Sequence, residues 1–492
     1  MPHTINWLTW CPDTFQRAHV LNQPILMYLT APWCHWCSIM DKTTFADHQV
    51  IRRMKDRFVP MKVNVDQYPH VADRYHFGGY PSVIILTGQG EVLQGDNYIP
   101  SREMISFLDA GYREFQCGNY HRDHGKNHSL QQRQGWEQEQ GSSMGAPYPT
   151  LLEINHLISR SYDEQFGGFF IDGGKMKFPL PEICDYLLAF AQVRASTREK
   201  TMVQKTLDEM LRGGLYDGEK GGFFRYCEHQ DWTGVHEEKL LESNAALLQC
   251  YLTALDHFEE KSYSIALVRT INFLVTDFFD EKTGLFGGSQ RGGSVDKIPY
   301  TNWNSQMASA LLQGGRILNY PPYVQMGLQL LDVLWRKCYR HDRGMSHFYL
   351  PDTDAPTLLS DQTKYILALL DGYQYREDKI YLKRAGVLMN LMAEYYRQPT
   401  GNFGDISNME PKQGYLKIPL VPFIENIDVA LLYLRMARLI KAESYKAKGE
   451  KILHNLGQRH YNNPIFVAKL GSGLLELEKY HAYQNQMDAC VR

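Results

Sequence analysis

The spacing of hydrophobic positions changes along the chain, and the first part alternates between short apolar runs and short amphipathic stretches. Apolar runs bounded by turn-forming residues are typical of buried strands. The predicted strands are 23–30, 58–66, 80–86 and 91–94. The predicted helices are 38–45, 50–57, 72–75 and 101–112. We therefore expect an α/β domain over residues 1–113.

Beyond residue 150 the pattern is that of amphipathic helices almost throughout. The twelve predicted helices are 150–161, 181–195, 198–212, 238–258, 261–279, 302–317, 322–338, 358–374, 377–396, 422–439, 442–457 and 464–479. Similar glycine-rich loops follow the odd-numbered helices, and their first glycines are Gly167, Gly221, Gly284, Gly344 and Gly401. A repeat of roughly sixty residues predicts six helical hairpins closed into an (α/α)6 toroid over residues 150–492, with a stacked solenoid as the alternative.

Residues 114–149 separate these two regions and differ from both in composition. Glutamine, glycine, histidine, serine and asparagine dominate between Cys117 and Pro149, and aliphatic residues nearly vanish. Such a segment cannot bury enough apolar surface to hold one conformation. We expect a flexible linker here.

The chain length agrees with two domains, and the net charge gives no support for some classes of partner. The chain has 492 residues and a formal net charge of −3, which gives no electrostatic reason to expect nucleic acid or an anionic membrane. No apolar run approaches the ~18 residues needed to span a bilayer. Residues Met1–Trp10 show no secretory signal, and most of the nine cysteines are scattered. We expect a cytoplasmic protein without structural disulfides.

The exception among the cysteines is Cys34-His35-Trp36-Cys37, which follows a predicted strand and starts a predicted helix. Backbone N–H groups and the helix dipole favour a thiolate at that place, so Cys34 is the expected nucleophile and Cys37 the resolving thiol. Supporting roles are expected for Trp33, His35, Trp36, Tyr80 and Pro81, the last as a cis-proline.

Two other interpretations of this motif stay open. A Cys-x-x-Cys pair can be half of a zinc site, although no second pair of similar spacing follows. It can also be a structural pair without redox turnover. Because the strand-then-helix context favours redox chemistry, we expect a protein or small-molecule thiol or disulfide as partner, and neither a metal nor another cofactor.

A second set of candidate residues lies near the starts of the even-numbered helices, whose N-terminal ends would line the funnel of a toroid. They are Lys177, Phe178, Asp217, Tyr226, His236, Glu238, Lys239, Asn244, Asn302, Trp303, Asn304, Asp361, Glu425 and Asn426. Among them His236 and Glu238 best fit acid/base work, and the aromatic residues could stack on a sugar-like ligand. The competing interpretation is structural, because polar residues at helix starts are usually caps and Gly-Gly-Phe loops are usually turns.

The motif and its surroundings resemble the DsbH-like thioredoxin family, which includes spermatogenesis-associated protein 20 and bacterial relatives. The resemblance rests on the Cys-His-Trp-Cys motif, the strand 58–66, the segment 78–81 and the glycine-rich segment 213–226. It implies a thioredoxin-like domain followed by a toroid similar to N-acylglucosamine 2-epimerases and related glycosidases. Two positions depart from expectation: Tyr28 stands where ordinary thioredoxins carry a buried carboxylate, and Ser38 stands where the family usually has histidine.

Three functions are compatible with the sequence. The first is a thiol-disulfide oxidoreductase whose helical domain selects the client or ligand. The second is a sugar-acting enzyme, an epimerase or hydrolase, with a regulatory thioredoxin domain. The third is a ligand-binding scaffold without turnover. We favour the first, because its chemistry is carried by a contiguous motif.

Overall fold

The structure is a computed structural model that describes residues 4–118, 149–171, 174–457 and 463–491. The chain divides into two compact units. The first comprises Met1–Ser142 and Met409–Leu420, and the second comprises Ser143–Asn408 and Val421–Arg492. Most of the predicted linker, residues 119–148, lies outside the described residues.

The first unit is a thioredoxin-like fold around a mixed four-stranded sheet. Its strands are β1 (Ile25–Thr30), β2 (Val59–Asn64), β3 (Ser82–Leu86) and β4 (Val92–Asp96). The sheet order is β2-β1-β3-β4, with β1 parallel to β2 and antiparallel to β3. Every residue of β1 and β3 is buried, which explains why both read as continuous apolar runs.

Five helices surround this sheet in the described part of the unit. They are α1 (Pro12–Leu21), α2 (His35–Lys42), α3 (His48–Arg57), α4 (Pro69–Tyr75) and α5 (Ser101–Cys117). The sequence analysis missed α1, whose start carries a proline and no side-chain cap. Helix α5 continues to Cys117, five residues beyond its predicted end.

A segment distant in sequence completes the first unit. Residues Met409–Leu420, which the sequence analysis assigned to the toroid, pack here and are called the returning segment. The fully buried Arg74 donates to the carbonyl oxygens of Tyr415 at 3.1 Å and Ile418 at 2.9 Å. At Gly90 an added Cβ would lie 2.6 Å from Cα of Gly414, so only glycine permits this close approach.

The second unit is an (α/α)6 toroid, as predicted. Its helices are α6 (Leu151–Ser159), α7 (Pro181–Arg194), α8 (Thr197–Arg212), α9 (Leu241–Phe258), α10 (Lys261–Asp277), α11 (Thr301–Ile317), α12 (Pro321–Cys338), α13 (Leu359–Arg376), α14 (Lys379–Tyr395), α15 (Phe423–Ile440), α16 (Glu443–Gly457) and α17 (Pro464–Val491). Helices α7, α9, α11, α13, α15 and α17 pack side by side in that order, and α17 packs against α7. This closure excludes the open solenoid.

The other six helices, α6, α8, α10, α12, α14 and α16, each pack outside an inner helix. From α7 to α16, each inner helix is followed by its outer partner after a short turn. The connections from an outer helix back to the next inner one are long loops, except that residues 458–463 alone join α16 to α17. All the long loops therefore emerge at the end of the toroid where the inner helices begin.

The glycine-rich parts of these loops are small hairpins. Short antiparallel pairings form them, such as Tyr162 with Phe169 and Tyr216 with Phe223. The first glycines of all five loops, at 167, 221, 284, 344 and 401, have positive φ angles between 64° and 94°. Side chains rarely adopt that conformation, so the repeated glycines are explained as turn residues.

Candidate functional sites

The cysteines of the redox motif lie at the start of α2 and form a disulfide with a Cα–Cα distance of 5.2 Å. The backbone N–H of Cys37 donates to Cys34 Sγ at 3.1 Å. This contact and the helix N-terminus would also stabilise a thiolate at Cys34. Cys34 is 4% exposed and Cys37 is 1% exposed, so a partner reaches the former more easily.

Aromatic side chains surround the disulfide. Trp33 is buried, donates its indole N–H to the Asp66 carboxylate at 2.9 Å, and lies 6.2 Å from the Tyr80 ring. Trp36 is 52% exposed and packs 5.1 Å from Tyr98. His35, next to it, is also exposed. A flat apolar surface beside the motif is therefore accessible to a partner.

The cis-proline prediction is confirmed, because the Tyr80–Pro81 peptide bond is cis and Pro81 is buried. Pro81 directly precedes β3, which agrees with the prediction that this proline precedes an apolar strand.

Tyr28 takes a structural role beneath the motif. Its side chain is fully buried, and its hydroxyl donates to the carbonyl oxygen of Cys37 at 3.0 Å. Burial and the nearby Asp41 carboxylate raise the pKa of Tyr28 above its usual value. The phenol stays protonated and holds the first turn of α2, but it cannot accept a proton from Cys37 as a carboxylate would.

In the toroid, two predicted funnel lysines brace the hairpin loops instead of facing a ligand. Lys177 is fully buried and pairs with Asp163 at 2.8 Å. Lys239 pairs with Asp217 at 2.7 Å and donates to the carbonyl oxygen of Gly221 at 2.8 Å. Burial alone would raise the pKa of Asp217, but the hydrogen bond from Lys239 holds it below its usual value. In each of the two pairs, the lysine and the aspartate therefore neutralise each other's charge.

Three of the four predicted asparagines also brace loops. Asn244 accepts from the backbone N–H of Phe223 at 2.7 Å and donates to its carbonyl oxygen at 3.0 Å. Asn304 makes the same pair of bonds to Phe286, and Asn426 makes them to Phe403. Each asparagine side chain is fully buried. The structural interpretation holds for this set.

His236 and Glu238, the pair favoured from the sequence, do come together. His236 Nδ1 lies 3.8 Å from Glu238 Oε2, and its Nε2 lies 2.8 Å from Glu228 Oε1. The His236 ring stacks on Tyr226 at 4.1 Å, and Tyr226 stacks on Phe178 at 4.9 Å. Tyr226 and His236 lie opposite each other in a two-residue strand pair. An acid/base role for this pair stays a prediction.

The remaining candidates lie at the first turns of inner helices. Asp361 is fully buried and contacts His347 Nδ1 at 3.0 Å, while the backbone N–H of Asn302 donates to it at 3.2 Å. Trp303 is 7% exposed and packs 4.5 Å from Tyr300. Glu425 is partly buried in the first turn of α15. Asp361 thus ties two inner helices and a loop together.

The sequence analysis missed a cluster of ionisable side chains within the first two turns of the inner helices. This funnel cluster consists of Glu182 and Asp185 of α7, Glu242 of α9, Lys364 of α13, Asp428 of α15 and Lys469 of α17. The signal was present in the sequence, because Asp185 and Asp428 interrupt helices that are otherwise apolar on nearly every face. Charged residues in such helices are rare without a partner or a function.

The environments of these carboxyl groups push their pKa values apart. Burial opposes ionisation of Asp428, but Lys364 and Lys469, each 2.8 Å away, hold its pKa at about 2. Burial and then the neighbouring Glu182 raise the pKa of Asp185 to about 7. Burial also raises the pKa of Glu242. The cluster therefore holds one fixed carboxylate and two carboxyl groups that gain or keep protons readily.

Residues 1–114 match the model of the DsbH thioredoxin family, whose description is "Protein of unknown function, DUF255". Human spermatogenesis-associated protein 20 is 23% identical over 350 residues, which are 63% of this chain and 42% of that protein. The chain thus spans less than half the length of that relative. Thioredoxin from Griffithsia pacifica is 30% identical over 98 residues, covering 20% of this chain and 87% of that protein. The predicted family resemblance is confirmed.

Among solved structures, D-mannose isomerase matches with a TM-score of 0.55 and 15% identity, covering 67% of this chain and 96% of that protein. At this identity the likeness shows the toroid fold alone. Across the described residues, no helix is long and apolar enough to cross a membrane.

Proposed function

We propose that the protein is a thiol-disulfide oxidoreductase that acts through Cys34 and Cys37, with the toroid selecting the client or small-molecule ligand. The observation that carries this proposal is the Cys34–Cys37 disulfide at the N-terminus of α2, where the Cys37 N–H contacts Cys34 Sγ. The thioredoxin-like fold around it supports the same chemistry.

The exchange proceeds in two steps. A client thiolate attacks Cys34 Sγ, the disulfide to Cys37 breaks, and Cys37 leaves as a thiolate that takes up a proton. A second client thiolate then attacks the mixed disulfide, and Cys34 leaves as the stabilised thiolate. The client is oxidised by two electrons and the protein is reduced to the dithiol; the reverse sequence reduces a client disulfide.

Exposure of Trp36 and His35 beside the motif supports a client with an apolar face. The buried Tyr28 phenol occupies the position of the carboxylate of ordinary thioredoxins. In the proposed exchange, therefore, no carboxylate at that position assists Cys37. The sugar-acting alternative draws less support, because five of its predicted residues, Lys177, Lys239, Asn244, Asn304 and Asn426, brace loops.

The test is a redox titration of the full chain in thiol-disulfide buffers between about −120 and −320 mV, the range that cellular couples span. Free thiols are alkylated and quantified by mass spectrometry. We expect one two-electron transition confined to Cys34 and Cys37. If both cysteines keep the same state over the whole range, the proposal is wrong.

Matched variants sharpen the assignment. Cys37→Ser should accumulate a mixed disulfide at Cys34 with a disulfide-containing peptide, because the Cys34 thiolate attacks the peptide disulfide, one peptide thiolate leaves, and no resolving thiol then releases the other. Cys34→Ser should trap none at the motif. Cys117→Ser, which removes an exposed free cysteine, should behave as the unaltered protein.

A further inference from the structure

A cavity in the first unit takes no part in the redox chemistry proposed above. It has a volume of about 360 Å³ and is lined by the segment that precedes α1, by the helices α1 and α3, and by the start of β2. The redox motif lies past the other end of the sheet, because Cys34 follows Thr30, and Thr30 pairs with Asn64 at the end of β2. A ligand in this cavity would therefore leave Cys34 open to a client.

Buried apolar side chains form the floor of this cavity. They come from α3, from the residue after it and from the start of β2, and they are Ile51, Met54, Phe58 and Val59. Leu21, the last residue of α1, also lines the cavity and is exposed. Small-molecule sites are concave and mostly apolar, with volumes of about 300–1,000 Å³, and this cavity fits that description. Its apolar floor favours a ligand with a hydrocarbon part.

A second, independent observation is the charge at the rim of the cavity. Arg17 of α1 and Lys55 of α3 both line it, and both residues are exposed. Neither forms an ion pair with any residue that the structure describes, and no residue lining the cavity is acidic. Each full charge exceeds the partial negative charge, about half an elementary charge, at the C-terminal end of its helix. The rim therefore attracts an anion.

Floor and rim together narrow the chemistry of the ligand. An inorganic anion would leave the apolar floor in contact with water, and a neutral hydrocarbon would leave both cations without a partner. A carboxylate carried on a hydrocarbon chain meets both requirements, because guanidinium and ammonium groups donate strong hydrogen bonds to carboxylate oxygens. The chain would then cover the apolar floor.

We propose that this cavity binds a straight-chain monocarboxylate. The hydrocarbon chain lies on the floor formed by Ile51, Met54 and Phe58, and the carboxylate accepts hydrogen bonds from Arg17 and Lys55 at the rim. The site requires neither the redox motif nor the toroid, so it is a binding function in addition to the proposed oxidoreductase activity.

The test is calorimetric titration of the full chain at low salt with hexanoate, octanoate, 1-octanol and octylamine. We expect octanoate to bind about tenfold more tightly than 1-octanol, which has the same chain without the charge. Octylamine, whose ammonium group the two cations repel, should bind least. Affinity should rise about fourfold for each CH₂ group added between hexanoate and octanoate, because each added group is buried on the apolar floor. Added salt should reduce the preference for octanoate over 1-octanol.

Variants assign the binding to the cavity. Arg17→Gln and Lys55→Gln should each weaken octanoate binding several-fold and leave 1-octanol binding unchanged, since only a charged hydrogen bond is lost. Arg52→Gln removes another exposed cation of α3 that does not line the cavity, and it should bind octanoate as the unaltered protein does. All three positions are exposed, so we expect folded proteins, and circular dichroism checks this.

Equal affinity for octanoate and 1-octanol overturns the proposal, as does the absence of octanoate binding at millimolar concentration. Octanoate binding that is unchanged in both Arg17→Gln and Lys55→Gln belongs to another site and overturns it as well. If sedimentation shows a dimer that Leu21→Glu dissociates, a second copy of the chain covers the cavity and the ligand assignment is wrong. The redox titration of Cys34 and Cys37 is a separate readout, so failure of either proposal leaves the other standing.

Discussion

The hairpin loops and the inner helices of the toroid both contain lysine–aspartate pairs, but they use them differently. In the loops, Lys239 donates to Asp217 and to a backbone carbonyl oxygen, and the charges of the lysine and the aspartate neutralise each other. On the inner helices, Asp428 engages Lys364 and Lys469 together. Carboxyl groups nearby are then left without a counter-ion.

The difference gives a criterion that separates side chains with a purely structural role from side chains whose protonation state can change. Where every buried polar group has its partner, as around Asn244, removal should cost stability and little else. Where a buried carboxyl group has no fixed counter-ion, as at Asp185, its protonation state should change with pH and stability should change with it. Three predictions test this criterion in order of expected effect.

The largest effect is expected for Lys239→Met. The substitution leaves the Asp217 carboxylate, 15% exposed, without its cation, and we expect a loss of about 3–5 kcal/mol in the free energy of unfolding of the toroid. Chemical denaturation followed by circular dichroism measures it. The double variant Lys239→Met/Asp217→Asn should recover part of the loss, and a double variant no more stable than the single one would contradict the ion-pair explanation.

A smaller loss is expected for Asn244→Ala. It leaves the backbone N–H and carbonyl of Phe223 without partners, which should cost about 1–3 kcal/mol in the same experiment. Asn244→Asp keeps the acceptor but not the donor and should fall between, so an equal loss for both variants would argue against the clamp.

The smallest effect, taken per pH unit, is a pH dependence of stability at Asp185. Its pKa is about 7 in the folded chain and lies near 4 in an unfolded one, so the folded state holds the extra proton between those values. Stability from this group is therefore full below pH ~4 and falls by about 1.4 kcal/mol per pH unit up to pH ~7.

Asp185→Asn should remove that slope. The measurement is the denaturation midpoint of the toroid at several pH values for both proteins. Asp428, with its pKa lowered to about 2, has the opposite sign, since its contribution is lost as pH falls below ~4. Parallel pH profiles for Asp185→Asn and the unaltered protein would show that Asp185 does not hold the extra proton.

The sequence predicted most of the thioredoxin-like fold and the toroid, because both rest on local signals. A buried strand precedes Cys34, and five glycines with positive φ mark the toroid repeat. The redox pair was found because its members are three residues apart. The funnel cluster was missed because its members come from helices far apart in sequence and meet only when α17 closes on α7.

The predicted funnel residues were drawn from loop positions, where asparagine and lysine repeat for structural reasons. Asn244, Asn304 and Asn426 recur at one position of the repeat because each loop needs the same clamp. The recurrence of these asparagines therefore indicated a structural role. Asp185 follows no such repeat, and that irregularity distinguishes it from the asparagine clamps.

The returning segment also bears on how the chain is made. Arg74 and Tyr75 sit in the first hundred residues, yet their partners Tyr415 and Ile418 leave the ribosome only after five of the six helical hairpins have begun to emerge. The amino-terminal unit must wait until late in translation for these hydrogen bonds to the returning segment. A nascent chain arrested before residue 409 should expose this part to protease, whereas one released after residue 420 should protect it.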